Sequence, residues 1–252
     1  MEVNNTHPRF RPFISGLAAA CLLLPTFART QQPSWSFAIK NVRIFDGQQV
    51  LPRGTALLVK DGLIAAVAKD ITVPEGIETI DGVGHTLLPG FIDAHTHADA
   101  QSLKQALVLG VTTELDMAND PKFVAQVKKL QAARGNHDLA DLFSAGAAVT
   151  APGGHGTQFG MRLPTITTPE EAEHFVEARI SEGSDYIKII YDDGHSYGVT
   201  FPSISKATMA TAVAGAHKHG KLAVVHVSTL SHARDAIDAR ANGLVRIGAS
   251  VR

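Results

Sequence analysis

Cysteine is almost missing: Cys21 is the sole example in 252 residues. It falls inside a segment read below as a removable leader, so disulfides cannot be what holds the mature chain together. An excess of either charge is also lacking. Lys+Arg number 23 against 24 Asp+Glu, a formal net charge of -1, and no global field draws the chain to nucleic acid or to an anionic membrane surface. Long hydrophobic runs are absent too, since the apolar stretch over residues 13–24 falls short of the about 20 residues that a membrane span requires. Low-complexity linkers are not found. What is present is a 44% hydrophobic composition, enough to fill a sizeable core, and twelve histidines. Many of these sit at expected strand ends or in glycine-rich loops, the placement that an oxygen- and nitrogen-ligated metal requires.

Arg9 and Arg11 precede the apolar stretch, and Pro25-Thr26-Phe27-Ala28 follows it with small residues suited to a signal peptidase. Residues 1–28 therefore read as an export signal cleaved after Ala28, which sends the mature chain to the periplasm or outside the cell. No stable span remains after its removal. Cys21 loosely suggests a lipid-anchor acceptor, but the apolar run continues through Leu22 to Leu24, which argues for a residue buried in the signal.

Beyond the leader the pattern divides into two regimes. Residues 35–88 show strands and tight turns: residues 37–44 alternate apolar with polar, and residues 56–60 and 63–67 flank Asp61-Gly62 as a hairpin. From residue 89 the rhythm is strand, loop, helix. Strands are expected at 110–115, 142–148, 186–190, 221–226 and 244–247, and helices at 101–109, 121–134, 169–181, 204–219 and 230–241. Repeated βα units imply an α/β fold with a parallel sheet covered by helices.

The stretch around which this alternation is organised is Leu87-Leu88-Pro89-Gly90-Phe91-Ile92-Asp93-Ala94-His95-Thr96-His97-Ala98. A short apolar strand runs into two histidines, and side chains alternate along a strand, so residues 95 and 97 share a face and can grip one cation while Thr96 faces away. Alone, His-x-His is a weak pattern. The full run PGFIDAHTH resembles the first barrel strand of the amidohydrolase superfamily, metal-dependent hydrolases related to imidazolonepropionase and Xaa-Pro dipeptidases, and the resemblance extends in order from residue 37 to about residue 252. It implies a (β/α)8 TIM-like barrel over residues 89–252, incomplete at about six βα units, beside a small N-terminal β-sandwich portion over residues 35–88.

In such a barrel the site lies where the strands end. Lys188 interrupts the apolar run Tyr186-Ile187-Lys188-Ile189-Ile190, where a charge is costly unless it is paired or modified. By resemblance, a lysine here becomes carboxylated and bridges two metals. His226 ends Leu222-Ala223-Val224-Val225-His226 where the family supplies its third histidine. The ligand set implied is His95, His97, Lys188 and His226, holding one or two divalent cations, zinc foremost. The glycines of Gly153-Gly154-His155-Gly156 would let His155 approach substrate, with Asp192, Asp193 and His195 as weaker candidates, while His217, His219 and His232 read as surface groups.

The reaction implied is hydrolysis of a carbon–nitrogen bond in a small amide or dipeptide by attack of metal-bound hydroxide. Two family positions depart: Ala241-Asn242-Gly243-Leu244-Val245-Arg246 carries arginine where a histidine ligand is expected, and arginine cannot bind metal at ordinary pH. With no seventh or eighth strand and no catalytic aspartate before Arg252, the expectation is a C-terminal truncation, from a frameshift or premature stop near Gly243. The alternative to an active hydrolase is then an inactive remnant that at most binds metal. Independent sequencing of the gene should place the break near that codon; an intact frame through the tail contradicts it.

Overall fold

Alternating side chains build a first set of strands, and where that alternation breaks, the chain turns. The computed structural model describes residues 36–135, 137–160 and 163–245. The expected leader over residues 1–28, Trp35, and the tail from Arg246 lie outside the described residues. The chain divides into two compact units between Leu87 and Leu88. In the first, β1 (Phe37–Lys40), β3 (Thr55–Lys60), β4 (Leu63–Lys69) and β5 (Glu78–Asp81) form a sheet in the order β4-β3-β1-β5, while β2 (Arg43–Ile44) pairs in parallel with β6 (Thr86–Leu87). The strand expected over 37–44 is thus split in two. Asn41 takes a left-handed backbone (φ 57°), which ends one strand and redirects the next into a different sheet. The hairpin forms as expected: Asp61 and Gly62 both have positive φ, matching the twist of the antiparallel strands they join. Val42, Ile44, Leu57 and Val59 fill the core of this unit.

The second unit alternates strand and α-helix among its described residues, with short 3-10 turns at Thr157–Phe159 and His195–Tyr197 in two of the connections: β7 (Phe91–Thr96), α1 (Ala100–Val108), β8 (Val111–Asp116), α2 (Pro121–Ala132), β9 (Asp141–Ser144), α3 (Pro169–Ser181), β10 (Ile187–Ile190), α4 (Lys206–Lys218), β11 (Ala223–His226), α5 (Leu230–Asp238) and β12 (Gly243–Val245). Each of these helices starts on a side chain that accepts from its first turn, in order Asp99, Asp120, Thr168, Ser205 and Thr229. Such caps satisfy amides that the helix cannot, and each contributes about 1 kcal/mol.

All strand pairs in this unit are parallel, in chain order, β7-β8-β9 and β10-β11-β12. A bridge between Val149 and Ile189 joins the two sets, because after Ser144 the chain leaves regular pairing and returns to it only at Val149. The strand expected over 142–148 is therefore shorter. Along β10 and β11 the two-residue period sorts the side chains: Ile187, Ile189, Ala223 and Val225 join the core with Val176 and Val213 of the helices, and Lys188, Ile190 and His226 project from the other face. No described helix is long and apolar enough to cross a membrane.

Glu114 is an exception to apolar burial. It is 4% exposed on β8, and its Oε2 has no hydrogen-bond partner. Burial raises its carboxyl pKa above the ordinary value, and Asp93, Asp116 and Asp99 add to the effect. The folded state therefore keeps this proton to higher pH than the unfolded chain, so its contribution is fully present below the ordinary glutamate value and is lost as pH rises through the raised one. Glu114→Gln is expected to raise the urea midpoint at pH 7 and to leave it nearly unchanged at pH 4; an equal change at both would contradict this.

Candidate functional site

The faces and ends of the parallel strands bring five of the expected residues to one cavity of about 470 Å³, lined by His95, His97, His155, Lys188 and His226 together with apolar groups such as Met117, Phe159 and Ile190. Asp192, Asp193 and His195 are not part of this lining. Expected alternation alone does not account for the first two histidines, because β7 ends at Thr96 and its pairing with β8 shifts register between Asp93 and Thr96. Their rings nonetheless lie 5.9 Å apart, centroid to centroid.

A buried carboxylate holds that segment. Asp116, at the end of β8 and fully buried, accepts from the Ala98 amide at 2.9 Å, from Asn119 Nδ2 at 3.0 Å and from Ser144 Oγ at 2.5 Å. Asn119 Nδ2 also donates to the Ala98 carbonyl at 2.7 Å, and the Met117 amide donates to Thr96. The ends of β7, β8 and β9 are thereby tied together just beneath the histidines. His97 Nδ1 lies 3.3 Å from the Ala118 carbonyl. A carbonyl can only accept, so this contact places the proton on Nδ1 and leaves the Nε2 lone pair available. Sequence reasoning missed Asp116 and Asn119. The signal was an aspartate closing a strand rich in β-branched residues just before the Asn119-Asp120-Pro121 helix start.

Lys188 and His226 come from adjacent strands, in register as Lys188 opposite Val224 and Ile190 opposite His226. Lys188 is 3% exposed and His226 4%. Burial, with the positive charge of Lys188 and His155 nearby, pushes the His226 pKa down to about 4 against a weaker pull from Asp192. The ring is therefore neutral at pH 7, the form that donates a lone pair. Its centroid lies 4.8 Å from that of His155 and its Nε2 lies 3.3 Å from Asp192 Oδ2. His155 also packs against Phe201 at 5.5 Å and Phe159 at 6.2 Å.

His217 and His219 are exposed. His232, expected at the surface, is instead half-buried: α5 turns it inward, where its ring packs at a tilt against Tyr191, 4.5 Å between centroids, and brings Nε2 to 3.9 Å from Asp193. Among the described residues, Asp192, Asp193 and His232 form a group whose ligand atoms lie within 4.8 Å of one another, close enough to hold a cation. The cavity histidines do not converge that closely. Their chemistry still fits a divalent ion: one imidazole kept neutral by burial, at His226, and one with its tautomer set by a carbonyl, at His97, beside a buried amine that carboxylation would convert to an oxygen ligand.

Residues 36–87 match the NagA composite domain family. The chain is 38% identical over 104 residues to a dihydroorotase of Streptococcus pneumoniae serotype 4, covering 37% of this chain and 24% of that enzyme, and 32% identical over 90 residues to an L-hydantoinase of Paenarthrobacter aurescens, covering 31% and 19%. A crystal structure of a Xaa-Pro dipeptidase with bound methionine in its active site superposes with a TM-score of 0.71 at 21% identity, over 83% of this chain and 61% of that one. The chain is thus similar over part of its sequence to a dihydroorotase and a hydantoinase, and in fold to a dipeptidase. The aligned region spans about a quarter of the dihydroorotase and less than two thirds of the dipeptidase.

The loop bearing His155 is shaped by Gly154, where a Cβ would lie 2.8 Å from the Pro202 carbonyl oxygen and 2.9 Å from that of Ala151. Backbone cannot yield as a flexible side chain does. Gly154→Ala is expected to cost about 1–3 kcal/mol in thermal or urea unfolding; an unchanged midpoint would show that the loop repacks freely.

Proposed function

We propose that this chain is a metal-dependent hydrolase of carbon–nitrogen bonds in small amides or dipeptides, exported to the periplasm or beyond, whose divalent cations are held by His95, His97, Lys188 and His226. The observation that carries this reading is that four potential ligands, drawn from β10, β11 and the end of β7, line one cavity. The strand order supports a further reading of the second unit as part of a (β/α)8 barrel and of the first as part of a β-sandwich. The names of the relatives, a dihydroorotase, an L-hydantoinase and a Xaa-Pro dipeptidase, support the carbon–nitrogen bond class.

A cation bound at these residues, zinc foremost, supplies a lowered pKa for water and polarisation of the scissile carbonyl. The remaining work falls to the chain. His97, through its Ala118 contact, presents Nε2 to the cavity. Lys188, buried beside His226, first gives up its ammonium proton and then reacts as the free amine with carbon dioxide: an N–C bond forms, a second proton leaves the nitrogen, and the product is an anionic carbamate. That conversion replaces a buried cation, which the apolar strand disfavours, with an oxygen ligand. His155 reaches the cavity from its loop, where its ring can contact a substrate carbonyl or carboxylate, and Met117, Phe159 and Ile190 exclude water around the reacting bond.

The test is metal content together with turnover of a panel of dipeptides and cyclic amides, on chain expressed with residues 1–28 removed. The expected result is bound divalent metal and hydrolysis, both reduced at least about tenfold by His97→Ala. Metal-free, inactive protein that is folded by circular dichroism would contradict the proposal.

A further inference from the structure

Asp192 lies just past the end of β10 and faces the last residue of β11. Its side chain is fully buried, and its Oδ1 is satisfied twice, by the Gly194 amide at 3.1 Å and by the Ser228 hydroxyl. Its Oδ2 has no hydrogen bond of its own and neither has His226 Nε2; both atoms are buried, and they lie 3.3 Å apart. The distance is that of a hydrogen bond, while the ring N–H is misaligned with the oxygen. A modest rotation of the imidazole satisfies both atoms at once, and leaving either unmet in so dry a place costs about 1–3 kcal/mol.

We infer that Asp192 is a positioning residue: its carboxylate takes the Nε2 proton of His226 as a hydrogen bond, fixes that tautomer, and turns Nδ1 toward the cavity as the cation ligand. With Nε2 turned to the carboxylate, Nδ1 is the ring nitrogen left for the cavity that His226 lines. Ser228 and Gly194 act one step further out, since their bonds to Oδ1 determine where Oδ2 points. The arrangement mirrors, on the other side of the cavity, the Ala118 carbonyl that sets the opposite tautomer of His97. One histidine is thus held for coordination through Nε2 and the other through Nδ1. This inference rests on the reading of His226 as a ligand. It also gives Asp192 a role other than the one suggested by its closeness to Asp193 and His232, in which it would itself bind a cation.

Two measurements on the full chain decide it. In metal-free protein, nitrogen NMR of the histidine rings should show His226 protonated on Nε2 alone, and Asp192→Asn should give a mixture of tautomers. By calorimetric titration with zinc, Asp192→Asn should weaken binding about 10–100-fold, Ser228→Ala should weaken it less in the same direction, and the Asp193→Asn/His232→Ala double variant should bind as the parent does. Ser228→Ala keeps the carboxylate buried and guards against a variant that simply unfolds. Equal losses in Asp192→Asn and in the double variant would overturn the inference, because Asp192 would then be a ligand in the neighbouring cluster. So would an Nδ1-protonated His226 in the parent. If the parent bound no zinc, the reading of the cavity would fall, and the tautomer measurement would still decide the role of Asp192.

Discussion

The buried carboxylate of Asp116 is the point on which the ligand-bearing ends of the first three parallel strands depend. It joins the backbone just after His97 to the end of β8 and to Ser144 at the end of β9, with Asn119 closing the network. Two histidines on a strand end that is solvent-exposed along much of its length would otherwise be held only by the pairing of β7 with β8, whose register shifts beside them. The carboxylate has no titratable cation among these partners; it is stabilised by three neutral donors, which keeps its position independent of side-chain charge in the cavity. Tyr186 extends the network to the next strand by donating its hydroxyl to the Asp116 carbonyl at 2.7 Å.

A second carboxylate, Asp192, stands in the corresponding relation to His226 across the cavity. Both acids are buried and both are anchored by a serine hydroxyl, Ser144 for Asp116 and Ser228 for Asp192. The difference is in what they hold. Asp116 holds backbone, and so sets where a histidine begins; Asp192 faces a ring nitrogen, and so bears on which atom of the histidine is presented. The parallel strands account for the rest of the geometry, since a period of two sends Lys188 and His226 to one face and their neighbours Ile187, Ile189 and Val225 to the packed core.

Much of this was legible in the residues. The βα alternation, the helix starts after Asp120 and Thr168, and the hairpin at Asp61-Gly62 follow from local chemistry, and so does the placing of Lys188 and His226 on apolar strands whose ends meet. Other features depend on partners distant in the chain. Asp116 bonds to Ser144 and the Tyr186 hydroxyl to the Asp116 carbonyl, over separations that no window of sequence contains. Asn41 split an expected strand because its left-handed backbone is a conformation that a polar residue only permits, without announcing it. His232 read as a surface group, yet its ring packs on Tyr191, a partner 41 residues away in the chain.

The central claim is that a cation binds at His95, His97, His226 and Lys188, and X-ray absorption of the zinc-loaded full chain tests it most directly. The account predicts a nitrogen- and oxygen-ligated ion with first-shell distances of about 2.0–2.1 Å, outer-shell scattering from three imidazoles and no sulfur. A single imidazole with two carboxylates would contradict it, because that is the shell offered by Asp192, Asp193 and His232.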